Sequence, residues 1–153
     1  MQVIKTDGGR VEAGLPDNKR GDCVIRAIAI AAERPYAEVR QSVQRLSEQY
    51  ALSHRSAAAK AMAKRIRGDY NTDKGNFAVA YEPYILSLGF EWVATMKIGT
   101  GCRVHLRANE LPMGRLIVKV SKHLVAVIDR VIHDTHDCSR NGTRCVYGYW
   151  RKV

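Results

Sequence analysis

The stretch His123-Leu124-Val125-Ala126-Val127-Ile128-Asp129-Arg130-Val131-Ile132-His133-Asp134 reads as two short strands joined by a two-residue turn. Apolar strand formers fill 124–128 and 131–132, and a polar Asp-Arg pair interrupts them where a hairpin turn belongs. If Asp129 and Arg130 are the whole turn, Ile128 faces Val131 and Asp134 faces Val125. Val125 shares a sheet face with His123, so Asp134 becomes the diagonal, same-face neighbour of His123, within side-chain reach. One more residue in the turn would send Asp134 to the other face. His133 takes the face opposite to Asp134.

Outward from this hairpin, Phe90 to Lys97, Arg103 to Leu106, Leu116 to Val120 and Cys145 to Trp150 also read as strands, with Gly, Pro or Asn in most of the gaps. Before Gly89 the period is helical. Asp22 is placed to cap a helix running to about Glu33, which Pro35 interrupts. Tyr36, Val39, Val43, Leu46 and Tyr50 then form an apolar stripe at spacings of three and four. A third helix is expected over Ser56 to Arg67, stopped by Gly68. Pro83 suits the first turn of a short helix ending at Gly89. Residues 7–21 and 69–76 read as loops, and Gln2 to Lys5 as a short edge strand. Helices followed by strands predict an α+β fold with an antiparallel sheet. The 153 residues suit one domain spanning the chain.

No apolar run is long enough for a membrane span, and the first residues lack the apolar core of a signal peptide. The expected location is therefore the cytoplasm. There Cys23, Cys102, Cys138 and Cys145, which form no CxxC pair, are expected as free thiols. The formal charge of +10 favours an anionic partner: nucleic acid, an acidic protein surface or anionic lipid headgroups. The densest basic patch is Lys60, Lys64, Arg65 and Arg67, a candidate anion-binding face on the third helix.

Three residues together carry a specific chemistry. Cys23 opens the apolar helix GDCVIRAIAIA, His123 starts a strand and Asp134 lies on the next one. A thiol becomes a nucleophile when a helix N-terminus and an imidazolium lower its pKa. The roles that follow are Cys23 as nucleophile, His123 as general base and then acid, and Asp134 as the group that orients the ring. The Cys23 N–H would donate to the oxyanion.

These segments resemble the papain-like cysteine peptidases, most of all the small bacterial peptidase domains of bacteriocin exporters. The resemblance rests on Cys23 in GDCVIRAIAIA, His123 in KHLVAVID and Asp134 in VIHDT. GRLIVKVSKHLVAVID and RCVYGYW also resemble small proteins of bacteriophages and prophages, which implies a bacterial host cell. The resemblance implies a papain-like fold, cleavage of a peptide or isopeptide bond in a protein or peptide substrate, and no cofactor. Transfer of the acyl group to an amine is the sister reaction. Papain-like enzymes carry a Gln several residues before the Cys as an oxyanion donor. Here the region is Leu15-Pro16-Asp17-Asn18-Lys19-Arg20, and Asn18 is the amide available in its place, with Lys19 beside it. Lys122, next to the His, is expected to disfavour the imidazolium.

His133, His136, Cys138 and Cys145 lie within one short segment and are zinc-ligand types, but their spacing fits no standard finger, and no metal is expected. Cys102 and His105 are read as structural. The alternative to an enzyme is a nucleic-acid-binding or host-protein-binding module on a catalytically degenerate papain-like fold.

Overall fold

A computed structural model describes residues 1–17, 21–68 and 71–153. In chain order the elements are β1 (Val3–Lys5), α1 (Cys23–Ala32), α2 (Tyr36–Ser53), α3 (Ala57–Arg67), α4 (Ala78–Ser87), β2 (Phe90–Ala94), β3 (Arg115–Val120), β4 (His123–Ile128), β5 (Val131–Asp134) and β6 (Gly148–Lys152). This is a mixed α+β architecture, four helices against one sheet of order β1-β5-β4-β3-β6-β2.

The central hairpin has the expected register. Ile128 pairs with Val131, Val127 with Ile132 and Ala126 with His133. Asp129 and Arg130 both take positive φ, 47° and 66°, as the favoured two-residue hairpin turn requires. One pairing departs from the expected antiparallel sheet: β1 lies parallel to β5, with Lys5 beside Asp134. The Thr6 N–H extends this pairing by donating to the Asp134 carbonyl at 3.0 Å.

β3 and β4 are buried on both faces, which explains their nearly unbroken apolar runs. On one face Ile117, Leu124, Ala126 and Trp150 pack under α1, α2 and α4. On the other, Leu116, Val118, Val120, Val125, Val127 and Ile132 pack under two irregular segments that contribute Leu106, Leu111, Cys138 and Val146. The expected strand at Arg103 to Leu106 is reduced to a single bridge, His105 with Cys145. Those segments are held instead by isolated backbone bonds, such as Val146 N–H to the Val104 carbonyl at 2.8 Å, and by a disulfide.

That disulfide, Cys102–Cys145 with Cα atoms 5.8 Å apart, corrects the expectation of four free thiols; Cys23 and Cys138 are the free ones. The bridge His105↔Cys145 brings the two chain segments within disulfide reach, which no spacing in the sequence reveals. Pro83 is the sixth residue of α4 rather than lying in its first turn. Phe77 caps that helix from outside, its carbonyl accepting from the N–H groups of Ala80 and Tyr81. None of the helices among the described residues is long and apolar enough to cross a membrane.

Candidate active site

α1 is buried on nearly every side, with Val24, Ile25, Ala27, Ile28, Ala29 and Ala31 all in the core. Such a helix cannot turn a charged residue to water, yet Arg26 stands in it, 6 % exposed. A buried guanidinium must be paired, and Arg26 donates to Asp22 on one side and to Asp134 Oδ1, at 3.2 Å, on the other. This demand also explains why Asp22 does not cap α1 with its side chain, contrary to expectation. Fully buried, the Asp22 carboxylate accepts instead from Arg26, from the Tyr36 hydroxyl at 2.7 Å and from Arg10 at 3.3 Å. Arg10 continues the chain to Asp73 at 2.6 Å. Tertiary partners have outcompeted the local cap, and the first turn of α1, where Cys23 sits, has no side-chain cap.

The hairpin delivers the other two groups. His123 Nε2 lies 2.6 Å from Asp134 Oδ2. The second carboxylate oxygen accepts from Arg26 and from the Thr135 N–H at 2.7 Å. Asp134 is therefore saturated and almost fully buried, and it fixes the imidazole plane. Cys23 and His123 line the same cleft, and each shifts the ionisation of the other. The structure thus brings Cys23, His123 and Asp134 together, the last two through the hairpin register that the sequence predicts.

The electrostatics follow from these contacts. Burial works against the imidazolium, but Asp134 and the two thiols Cys138 and Cys23 outweigh it and raise His123 to about 11. Burial likewise opposes ionisation of Cys23, and the bonds and charge of His123, the Leu124 N–H and the charge of Arg26 overcome it and lower the thiol. Asp134, against its own burial, is held down to about 2 by His123, the Thr135 N–H and Arg26. Lys122 does not offset the carboxylate, contrary to expectation, because Asp134 bonds the ring directly. The contacts thus favour the ionised thiol and the charged imidazole together.

A cleft of about 270 Å³ opens over this pair, lined on one side by Gly21, Gly75 and Asn76 and floored by Val24, Tyr81, Val120 and Leu124. Gly21 has φ +52°, and a Cβ there would come within 2.1 Å of the Asp73 carbonyl oxygen, so only glycine lets that loop close beside Cys23. Asn18 and Lys19, the expected oxyanion donors, lie outside the described residues. Asn76 is an amide on the cleft wall that the sequence pattern did not single out; its Nδ2 donates to the Thr72 carbonyl at 3.0 Å.

Arg26 and Cys138 were also missed. Cys138 is buried against the ring, and the donor atoms of His123, Asp134 and Cys138 lie within 4.8 Å of one another. That trio fits a cation poorly. Both oxygens of Asp134 are engaged, and a guanidinium already neutralises it. The sequence-level zinc set is not assembled, since Cys145 is in the disulfide and His133 lies on the opposite sheet face from Asp134. Lys60, Lys64, Arg65 and Arg67 are exposed on α3, which packs on α2, and none of them lines the cleft. Arg65 covers the Phe77 ring at 4.9 Å.

No protein-family model, no curated protein and no solved structure matches this chain.

Proposed function

We propose that the protein is a cysteine hydrolase of the papain-like kind, cleaving a peptide or isopeptide bond through Cys23, His123 and Asp134. The observation that carries this reading is the imidazole bonded to Asp134 at one nitrogen and sharing an open cleft with a thiol at the start of a buried helix, each lowering the cost of charging the other. A structural cysteine needs none of this machinery, and burial alone would leave it an inert thiol.

The chemistry proceeds in two halves. The Cys23 thiolate attacks the scissile carbonyl carbon, and the carbonyl electron pair moves onto oxygen. That oxyanion meets the backbone N–H of Cys23 at the uncapped first turn of α1. His123 passes its proton to the departing amine, the C–N bond breaks and a thioester forms. Water then enters, His123 takes one of its protons, and the hydroxide attacks the thioester. The thiolate leaves, the acid product is released, and the imidazolium is restored. An amine in place of water gives acyl transfer with the same groups. Asp134 keeps the ring in plane throughout and stabilises its charged form without itself taking the proton.

The test is the pH dependence of Cys23 alkylation by iodoacetamide, read by peptide mass spectrometry with Cys138 as internal control. Selective reaction well below the ordinary thiol range, abolished in His123→Ala, is the expected result. Equal and slow reaction of both thiols would overturn the assignment and favour the binding-module alternative.

A further inference from the structure

We infer that the cleft selects an acidic peptide segment, one carrying a carboxylate within a residue or two of the bond that Cys23 attacks. This rests on the cysteine-hydrolase reading and names the substrate class of that same site.

The cleft lining is one-sided in charge. Among its described residues the ionisable side chains other than Cys23, His123 and Tyr81 are Lys119 and Lys122, with no carboxylate. Lys119 reaches Glu82 at 3.3 Å, and both side chains of that pair are half-buried, so its charge is partly offset. Lys122 is exposed and makes no ion pair with any described residue. The carboxylates buried nearby are already spent: Asp22 on Arg10, Arg26 and Tyr36, and Asp134 on His123, Arg26 and Thr135. Among the described residues they leave Lys122 without a carboxylate partner, and Lys119 with Glu82 alone.

The backbone adds a second, independent observation. Val120 pairs with His123, so Ser121 and Lys122 form a two-residue turn, and Lys122 has φ 56°. That value serves the turn, as positive φ does at Asp129 and Arg130 in the next hairpin. The turn holds Lys122 one residue from His123 with its side chain exposed, and the use open to an ammonium there is to meet an anion.

Size restricts that anion. A cleft of about 270 Å³ holds one or two side chains of an extended segment. Its floor of Val24, Tyr81, Val120 and Leu124 suits an aliphatic residue, and the ammonium groups at its edge suit a neighbouring Asp or Glu.

The test compares second-order rates of Cys23 alkylation by iodoacetate and by iodoacetamide, which differ in charge and little in size. The wild-type ratio of the two, normalised to that of a free small thiol, is expected to exceed unity at low salt and to fall as salt screens the lysines. The imidazolium and Arg26 contribute to the ratio equally in all lysine variants, so the variants isolate the rim. Lys122→Gln should lower the ratio by about threefold and Lys119→Gln by less, while Lys122→Arg should retain it. In a parallel arm, tetrapeptides differing only in Asp against Asn are scored for protecting Cys23 from iodoacetamide. The Asp peptides should protect better, and the difference should vanish in the double Gln variant. A reactive Cys23 whose reagent ratio and peptide protection ignore both lysines would overturn this inference alone. A Cys23 inert to both reagents would overturn the hydrolase reading and this inference with it.

Discussion

Helices α1 and α3 both carry basic residues, and the protein treats those residues in opposite ways. α3 holds Lys60, Lys64, Arg65 and Arg67 in the open, on an amphipathic helix whose buried side chains are Ala59 and Met62. α1 holds one cation, Arg26, buried between two carboxylates. The cluster is conspicuous in the sequence, whereas the single buried arginine touches the candidate site. A charge in water interacts weakly with its surroundings, and the same charge out of water dictates where every neighbouring carboxylate must go. Arg26 fixes Asp22 and Asp134 together, and through them Tyr36, Arg10 and His123.

The sharpest way to break the contrast is at the start of α1. Cys23→Ala should reduce turnover of a cleavable peptide by roughly 10⁴-fold or more while the circular dichroism stays unchanged. An intact rate would remove the chemical role from α1 altogether. Next in size is Arg26→Leu, which leaves Asp22 and Asp134 short of a buried partner. Urea unfolding at constant m-value should show a loss of about 3 kcal/mol. A loss no larger than that of a surface substitution would mean that the buried guanidinium is not the organiser it looks to be.

A third prediction concerns pH. His123 takes up a proton on folding, since it rises from an ordinary 6.5 to about 11. Its contribution is therefore complete below about pH 6.5 and is lost as the pH climbs toward 11. In a Cys23→Ala background, where no lowered thiol releases the proton that His123 takes up, the stability margin that His123 gives over His123→Ala should shrink across that window. Asp134 acts in the opposite sense. Lowered to about 2, it stabilises above its unfolded value of 3.8 and fails as pH falls through 2. A margin that grew between pH 7 and 10 would contradict the ion-pair assignment. The smallest effect belongs to α3, where Lys60→Glu with Lys64→Glu should change stability by no more than about 0.5 kcal/mol. A larger cost would show that the exposed cations are tied into the fold.

The two helices also divide what could be read from residues alone. The hairpin register was legible because a two-residue turn leaves Asp134 one possible face, and the turn residues took the positive φ values that this geometry needs. The stripe of α2 and the span of α3 were legible because their causes are local, although Ser56, read as the first residue of α3, is its cap and accepts from the Ala59 N–H at 3.2 Å. Arg26 was opaque because, beside its near neighbour Asp22, its other partner Asp134 is distant in the chain, and nothing in a sequence window marks an arginine as buried. The same distance hid the Cys102–Cys145 link and sent the Asp22 carboxylate inward, away from the helix end it was expected to cap. The parallel pairing of β1 with β5 joins segments more than a hundred residues apart and leaves no periodic trace.

That long-range pairing has a consequence for the timing of synthesis. Cys23 leaves the ribosome about a hundred residues ahead of His123 and the strand bearing Asp134. At 5–20 residues per second, that lag is roughly 5–20 s. During it the nascent chain carries an ordinary thiol with no imidazole to ionise it, and β1 waits without its partner strand. On the hydrolase reading, reactivity is switched on when β4 and β5 emerge, so a stalled or truncated chain ending before β4 would be chemically silent.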